Sequence, residues 1–372
     1  MDRRKAQTML EKIAGLLESM TAIPAPAGAE DLMIDYMRKA FIEAGVSASV
    51  DILGNVVACV RKARPGWPTV MVIAHMDQVG FVVRKIESSG YLRLSRLGGI
   101  PEKSLACQRI IILGEKGPVP GLIAAKAHHA TRPEEKYRVL PIDEVFVDVC
   151  ASSAREVNEM GVAVGNFAVY EPHFYRRGDI VQATSLDNRA GCAALLVLAE
   201  ELAKRNFGVG LYLVGSVQEE FNLRGILPAA RAIQPTLGIS IDVSVASDTP
   251  DLGYFGDLRL GGGPAINLFS FHGRGELNGV LPNPKLKSYI LSIAESRKIP
   301  VQRNTFFGGL TDASYVQLEG PGIPCIELGI PLRYTHAPIE ACAISDIKSC
   351  IELLISAVMD LPDRPDLSRG VN

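Results

Sequence analysis

Several features that mark secreted, membrane or redox-active proteins are missing from this sequence. The seven cysteines are scattered and include no CxxC motif, so we expect neither a thiolate-bound zinc nor a disulfide framework. No stretch approaches the roughly 18 apolar residues of a membrane span, and the amino terminus lacks the continuous apolar segment of a signal peptide. We therefore expect a cytoplasmic protein whose cysteines are reduced core residues.

An excess of charge of one sign is also missing. The chain has 39 Lys and Arg residues against 41 Asp and Glu residues, which gives a formal net charge of −2 at pH 7. This balance provides no strong electrostatic attraction to nucleic acids or membranes, so we expect neither as a partner. The sequence also contains no internal repeat, low-complexity segment or long linker.

The order of the apolar runs predicts the fold. The run TVMVIA at residues 69–74 is continuously apolar, which is typical of a strand buried on both faces of a parallel sheet. Residues 81–172 instead contain short β-rich runs separated by Gly and Pro. We predict an α/β fold in which residues 1–80 and 173–372 form a mostly parallel sheet covered by helices, while residues 81–172 form an inserted, small, β-rich and barrel-like domain. Two domains also suit a chain of 372 residues.

Residues able to bind a metal follow five of the predicted strands. In chain order they are His75 with Asp77, Asp187, Glu219 with Glu220, Asp242, and His336. Ligands of open α/β sheets bind beyond the carboxyl ends of the strands. A single His or Asp at such a place is more often a core residue or a helix cap, but five strands that deliver such residues to one edge are hard to explain separately. The sequence therefore predicts a shared metal site.

The residue types indicate the kind of metal chemistry. Imidazole and carboxylate ligands without thiolates suit Zn²⁺, Mn²⁺ or Co²⁺. Five ligands exceed the three that one catalytic zinc usually takes from the protein, but they suffice for two ions if one carboxylate bridges them. The four positive charges of two such ions exceed the three negative charges of Asp187, Glu220 and Asp242 by one. This remainder favours a bridging hydroxide, because metal binding lowers the pKa of water to ~7.

The adjacent acids Glu219 and Glu220 have different predicted roles. Neighbouring side chains on an extended segment point in different directions, so one can bind a metal while the other faces the attacking water. We assign Glu220 as the ligand and Glu219 as the general base, which takes a proton from the water and passes it to the leaving amine. Asp77, two residues after His75, is placed to accept the second ring N–H of that histidine and fix its tautomer.

A family resemblance rests on the motifs around these residues. In order, the motifs are HMDQVGFVV, SLDNRAG, VQEEFNLRG, IDVSVASDTP, GGLTDAS and IPLRYTHAPIE. The set resembles that of the dinuclear metallo-aminopeptidases of metallopeptidase family forty-two, which includes the tetrahedral and glutamyl aminopeptidases and whose members are often labelled cellulase or endoglucanase. The resemblance covers nearly the whole chain, including the β-rich insertion, and implies a zinc-peptidase-like fold.

The resemblance also implies roles for individual residues. By this comparison, one metal is bound by His75 and Asp242, the other by Glu220 and His336, the bridging ligand is Asp187, and the base is Glu219. Thr311, Asp312 and Arg333 lie in the same motifs and are further candidates for contact with the substrate or the ligands, although a helix start and a surface salt bridge would also explain them. The chain departs from the family pattern at Leu310, where a small residue is common, and at Asn188, where a second Asp is frequent. Neither departure removes a ligand.

The implied activity is the removal of amino-terminal residues from short peptides, with two divalent ions in each subunit. The implied assembly is a homo-oligomer, built from dimers through the β-rich insertion and in many members a twelve-subunit particle. The residues alone leave other dinuclear amide hydrolases open, such as a deacylase or a carboxypeptidase-like enzyme. A glycosidase needs two carboxyls ~5 to 9.5 Å apart and has no use for two imidazoles. A non-catalytic scaffold is disfavoured because no ligand and no base is missing.

Overall fold

The computed structural model describes residues 3–272 and 279–370. The α-helices within these residues are α1 (Arg3–Thr21), α2 (Asp31–Glu43), α3 (Ala154–Glu159), α4 (Leu186–Ala203), α5 (Ile226–Ile233), α6 (Pro284–Arg297), α7 (Ala313–Val316) and α8 (Ile344–Asp360). The β-strands of the first half of the chain are β1 (Ser47–Val50), β2 (Val56–Arg61), β3 (Thr69–His75), β4 (Gly80–Ile86), β5 (Leu92–Leu97), β6 (Arg109–Gly114), β7 (Gly117–Ile123), β8 (Val147–Asp148) and β9 (Phe167–Tyr170). Those of the second half are β10 (Phe174–Arg177), β11 (Ile180–Ala183), β12 (Gly210–Ser216), β13 (Leu237–Val245), β14 (Ala265–Phe271), β15 (Gly279–Val280), β16 (Gln302–Phe307), β17 (Cys325–Arg333) and β18 (Glu340–Ala343).

The larger sheet has twelve strands and a parallel centre. Its order is β1-β2-β12-β3-β13-β17-β18-β11-β10, and β14 pairs with β15, β16 and β17 beside this path. The pairs β12–β3, β3–β13 and β13–β17 are parallel, as expected for strands connected through helices. Antiparallel pairs extend this centre on both sides, through β2 at one side and β18 and β11 at the other.

Helices cover both faces of this sheet, which explains the apolar run of β3. Val70 and Val72 pack into the core that also contains residues of α1, α4 and α8. Met71 and Ile73 point to the opposite face and pack with residues of α5 and α7. Because successive side chains of a strand alternate between faces, the central part of a strand with two covered faces is apolar on both faces, as Val70 to Ala74 are here.

A closed antiparallel barrel lies between β3 and β10 in the chain. Its strands follow the order β4-β5-β8-β7-β6-β9 and return to β4. Phe81, Leu94 and Ile112 are fully buried members of a separate hydrophobic core inside it. The ring of Phe81 meets that of Tyr170 edge to face, with centroids 5.4 Å apart. The α/β fold with a barrel-like insertion predicted from the sequence is therefore confirmed.

Membrane-spanning helices and the cysteines are the two features that relate to the expected environment of the chain. The described residues include no helix long and apolar enough to cross a membrane. All seven cysteines are free thiols, of which Cys192, Cys325, Cys342 and Cys350 are buried. Cys107 and Cys150 are exposed, so they are not the core residues that the sequence suggested.

Candidate metal centre

Strand direction explains why the predicted ligands meet. Strands β3, β12, β13 and β17 are parallel, and β11 runs the same way because two antiparallel pairings separate it from β17. The last residue of β3 is His75, and the segments after β11, β12 and β17 carry Asp187, Glu219 with Glu220, and His336. Asp242 lies inside β13, because that strand continues to Val245. The five strands therefore bring the predicted ligands to one edge of the sheet.

We call the first group of ligands the His75 half, which contains His75, Asp187 and Asp242. The Nε2 atom of His75 lies 3.1 Å from Oδ1 of Asp187 and 3.6 Å from Oδ1 of Asp242. All three residues are buried. The backbone N–H of Val243 donates to the same Asp242 oxygen at 2.7 Å, which fixes the orientation of that carboxylate.

The second group, the His336 half, contains Asp187, Glu220 and His336. The Nε2 atom of His336 lies 3.3 Å from Oδ2 of Asp187 and 3.3 Å from Oε1 of Glu220. The two oxygens of Asp187 therefore face two different histidines. This is the arrangement that a carboxylate shared by two neighbouring ions requires.

The donor set fits divalent metal ions. One ligand atom from each residue of the His75 half lies within 4.8 Å of the others, and the same holds for the His336 half. A third such group joins His75, Glu219 and Glu220. Imidazole nitrogens and carboxylate oxygens without thiolates are the ligands of catalytic Zn²⁺, Mn²⁺ and Co²⁺ sites.

The buried charges at this site shift one another's pKa. Burial, helped by the negative charges of Asp242 and Glu220, raises the pKa of Glu219 well above its ordinary value. Burial also raises the pKa of Asp242 to about 6. For His336 burial acts downwards, but the charge of Glu220 and hydrogen bonds to carboxylates raise its pKa well above the ordinary value. Four carboxylates crowd two imidazoles here, and divalent cations would relieve their repulsion.

Asp77 organises the two glutamates through their backbones. Its Oδ1 accepts the N–H of Glu219 at 3.0 Å and its Oδ2 accepts the N–H of Glu220 at 2.9 Å. The Nδ1 atom of His75 lies 3.2 Å from the backbone oxygen of Asp77 and 3.5 Å from its Oδ1. The closer acceptor for the second ring N–H is thus the backbone oxygen of Asp77 rather than its carboxylate. Both acceptors leave Nε2 of His75 free to bind a metal.

Glu340 is a supporting residue that the sequence did not point out. Its Oε1 accepts the backbone N–H of His336 at 2.7 Å, and its Oε2 accepts the backbone N–H of Asp187 at 3.0 Å. One buried carboxylate therefore fixes the backbones of two ligands. Burial, together with the charge of Asp187, raises the pKa of Glu340 to about 8. Its position at the end of the motif THAPIE was the only available signal.

Left-handed backbone torsions cluster in the segments that carry the ligands. Positive φ angles occur at Ser185 (59°), Gln218 (57°), Tyr334 (63°) and His336 itself (65°). Non-glycine residues adopt this region infrequently, and such strain persists where the surrounding structure imposes it. The ligand segments are thus held in place by their contacts rather than by local preference.

The three further candidates lie outside the groups of ligand atoms. Thr311 donates to Oε1 of buried Glu327 at 2.6 Å. Asp312 accepts a hydrogen bond from Ser216, the last residue of β12, and burial raises its pKa to about 7. Arg333 forms two hydrogen bonds with Asp248, each 2.7 Å long. The observed contact of Arg333 is therefore the salt bridge.

Comparison with known proteins finds a matching family and similar relatives. The profile of the family described as M42 glutamyl aminopeptidase matches residues 54–353. A putative aminopeptidase of Escherichia coli, SgcX, is 38% identical over 347 residues, which are 92% of this chain and 93% of the relative.

Two solved structures also resemble the chain. The aminopeptidase APDkam598 of Desulfurococcus kamchatkensis has a TM-score of 0.88 at 32% identity, over 95% of this chain and 96% of the other. The TET1 peptidase of Pyrococcus horikoshii has a TM-score of 0.83 at 27% identity, over 95% of this chain and 100% of the other, and it can assemble into a tetrahedron or a large octahedral shell.

Proposed function

The chain belongs to the M42 glutamyl aminopeptidase family and is an aminopeptidase, and we propose that it removes amino-terminal residues from short peptides with two divalent metal ions. The observation that carries the two-ion proposal is the position of Asp187, whose two oxygens lie 3.1 Å and 3.3 Å from the Nε2 atoms of His75 and His336. In this proposal His75 and Asp242 hold one ion, Glu220 and His336 hold the other, and Asp187 bridges them. Zn²⁺, Co²⁺ and Mn²⁺ suit these ligands.

Glu219 is the proposed general base. Two divalent ions held by these residues would polarise the scissile carbonyl and would lower the pKa of the attacking water. Glu219 takes the proton of the attacking water and gives it to the leaving amine. Its carboxylate is buried beside the ligands, and its backbone is held by Asp77, which supports a fixed position for proton transfer.

The candidate ligands argue against a glycosidase but do not separate the other rival functions. A glycosidase needs a pair of carboxyls across a sugar bond and no imidazole, whereas here two imidazoles lie within 3.6 Å of carboxylates. A deacylase or a carboxypeptidase-like enzyme would use the same ligands. The family membership favours the aminopeptidase.

The test of this function is hydrolysis of a panel of aminoacyl-anilides by enzyme freed of metal with a chelator. We expect no turnover without metal and restored turnover after addition of Zn²⁺, Co²⁺ or Mn²⁺. Matched substrates with an acetylated amino group should not be cleaved, because an aminopeptidase requires the free amine. Cleavage of the acetylated substrates alone would indicate a deacylase or an endopeptidase instead.

We also propose that residues 81–172 form a separate inserted domain through which the chain assembles into a homo-oligomer, based on dimers and reaching twelve subunits. Two observations support this proposal. The TET1 peptidase of P. horikoshii, similar over 95% of this chain, can assemble into a tetrahedron or a large octahedral shell. Large apolar side chains on the barrel segment are exposed, among them Leu122, Tyr137 and Val164. A closed shell would admit short peptides and exclude folded proteins.

Light scattering over a range of protein concentrations tests the assembly. A mass that stays at a multiple of the 40.1 kDa chain on dilution is the expected result. A stable monomer at all concentrations would refute it, and a stable dimer would refute the twelve-subunit state only.

A further inference from the structure

A turn of the barrel reaches into the His336 half. Gly98 and Gly99 directly follow β5, and the backbone oxygen of Gly99 lies 3.2 Å from Nδ1 of His336. A carbonyl oxygen only accepts hydrogen bonds, so Nδ1 must carry the hydrogen. The lone pair of the neutral ring is then on Nε2, the atom that faces Asp187 and Glu220.

The turn approaches the site so closely that neither position has room for a side chain. A Cβ atom on Gly99 would lie 3.0 Å from Nδ1 of His336. A Cβ atom on Gly98 would lie 2.8 Å from Cγ1 of Val79 and 3.3 Å from Oε2 of Glu220. Gly98 also has a φ of +85°, which other residues rarely adopt. An added methyl group at Gly99 must therefore displace the ring of His336 or move the turn. One at Gly98 must displace Val79, crowd the carboxylate of Glu220 or move the turn.

The contact with the Gly99 oxygen is important for the orientation of the His336 ring, because this ring is less enclosed than that of His75. The side chain of His75 is 1% exposed, whereas that of His336 is 29% exposed. The hydrogen bond from His336 to Glu340 comes from the backbone N–H and not from the ring. The Gly99 oxygen is the partner that the described residues provide for Nδ1.

We propose that the Gly98–Gly99 turn is a positioning element of the metal centre. It fixes the ring of His336 so that Nε2 faces the second ion, and it confines the carboxylate of Glu220 beside it. The barrel thus contributes to the metal site of its own chain, apart from any contact with other subunits. This inference rests on the two-ion function proposed above.

The test compares Gly99→Ala with Gly253→Ala. Neither glycine has a positive φ, and an added methyl at Gly253 meets no atom within 4 Å. Zinc affinity is measured for both equivalents by competition with a chelator, beside the thermal unfolding of the metal-free proteins. We expect Gly99→Ala to weaken one of the two equivalents by ~10–100-fold, as the loss of a partner that orients a ligand typically does. Gly253→Ala should match the wild-type protein.

A second pair of variants controls for backbone strain, because the strain is similar in both. Gly98→Ala and Gly165→Ala both place alanine at a positive φ, of +85° and +93°, but the methyl at Gly165 meets no atom within 4 Å. Only Gly98→Ala should weaken zinc binding. This pair decides the question if Gly99→Ala does not fold.

Affinities equal to those of the matched controls in both pairs would overturn the inference. The zinc stoichiometry of the wild-type protein tests the proposed function separately, because binding of only one zinc ion per chain would contradict the two-ion site. The difference between each variant and its control still shows whether the turn supports the remaining ion.

Discussion

The His75 half and the His336 half contain the same kinds of potential ligand atoms but are built differently. His75 and Asp242 lie on strands of the parallel centre, and both are buried. Glu220 and His336 lie in segments beyond the strand ends, and His336 has a left-handed backbone. The first half is supported by the sheet, whereas the second depends on Asp77, Glu340 and the Gly98–Gly99 turn.

This difference indicates where the site is adaptable. A strand position is fixed by ladder hydrogen bonds and by packing on both faces, so a ligand there is held with the core. A loop ligand is only as rigid as the hydrogen bonds that orient it. We expect substitutions of supporting residues to affect mainly the His336 half, and substitutions of shared residues to affect both.

The largest effect is expected from Asp187→Ala, which removes the ligand common to both halves. Elemental analysis after dialysis should find both ions lost, and kcat should fall ~10³-fold or more, because the ions supply several kcal/mol of transition-state stabilisation. Asp143→Ala, which removes an exposed carboxylate paired with Arg84, is the control and should keep both ions. If Asp187→Ala still bound two metal ions tightly, Asp187 would not be the bridging ligand.

The substitution of Glu by Gln should have different effects at the adjacent positions Glu219 and Glu220. Glu219→Gln keeps the shape of the side chain but removes the base, so kcat should fall by ~10²–10⁴ with both ions retained. Glu220→Gln removes a ligand charge and should weaken one ion, in the His336 half. Measuring kcat and metal content for both variants checks the assignment. Near-normal turnover of Glu219→Gln would mean that the roles are exchanged or that another group is the base.

Glu340→Gln should affect the two halves unequally. A carboxamide offers one acceptor oxygen, and its NH₂ group would face a backbone N–H that now donates to the carboxylate. We expect ~10–100-fold weaker metal binding, and a larger loss in the His336 half, where Glu340 holds the backbones of both Asp187 and His336. Glu159→Gln, on an exposed helix position, is the control. Equal affinities for both variants would assign Glu340 a purely structural role.

The smallest effect is expected from Arg333→Lys, which tests whether Arg333 takes part in the site beside His336. Arg333 precedes His336 by three residues, but its guanidinium pairs with Asp248. Partly exposed ion pairs contribute ~0–1 kcal/mol, so the free energy of unfolding should change by no more than ~1 kcal/mol and kcat/KM should stay unchanged. Denaturant unfolding and steady-state kinetics measure both. A large rise in KM would place Arg333 in contact with the substrate.

The parallel centre and the candidate ligands could both be predicted from the sequence because both leave strong local patterns. The run TVMVIA is apolar from Val70 to Ala74, and His75 follows it directly. The antiparallel strands of the sheet and of the barrel leave weaker patterns in the sequence. β10 and β18 are four residues long, and β7 contains Pro118 and Pro120, which ordinarily argue against a strand. They are tolerated because β8 pairs only with Leu122 and Ile123, at the far end of β7.

The supports of the ligands were harder to predict than the ligands. Glu340 acts on Asp187 from 153 positions away in the chain, through a backbone group that every residue possesses. Gly99 acts on His336 across 237 positions through a carbonyl oxygen. Backbone donors and acceptors carry no sequence signature, so such contacts appear only once the fold brings the segments together.

The closed order of the barrel strands has a consequence for how copies of the chain can meet. An open sheet edge offers unpaired N–H and C=O groups that accept a strand from almost any sequence, which makes it a route to aggregation. The six barrel strands close on one another and offer little of this edge. Association through the barrel would therefore have to use side chains such as Tyr137 and Val164. Such contacts depend on shape, so they would distinguish identical copies from other proteins, and single substitutions would be enough to abolish them.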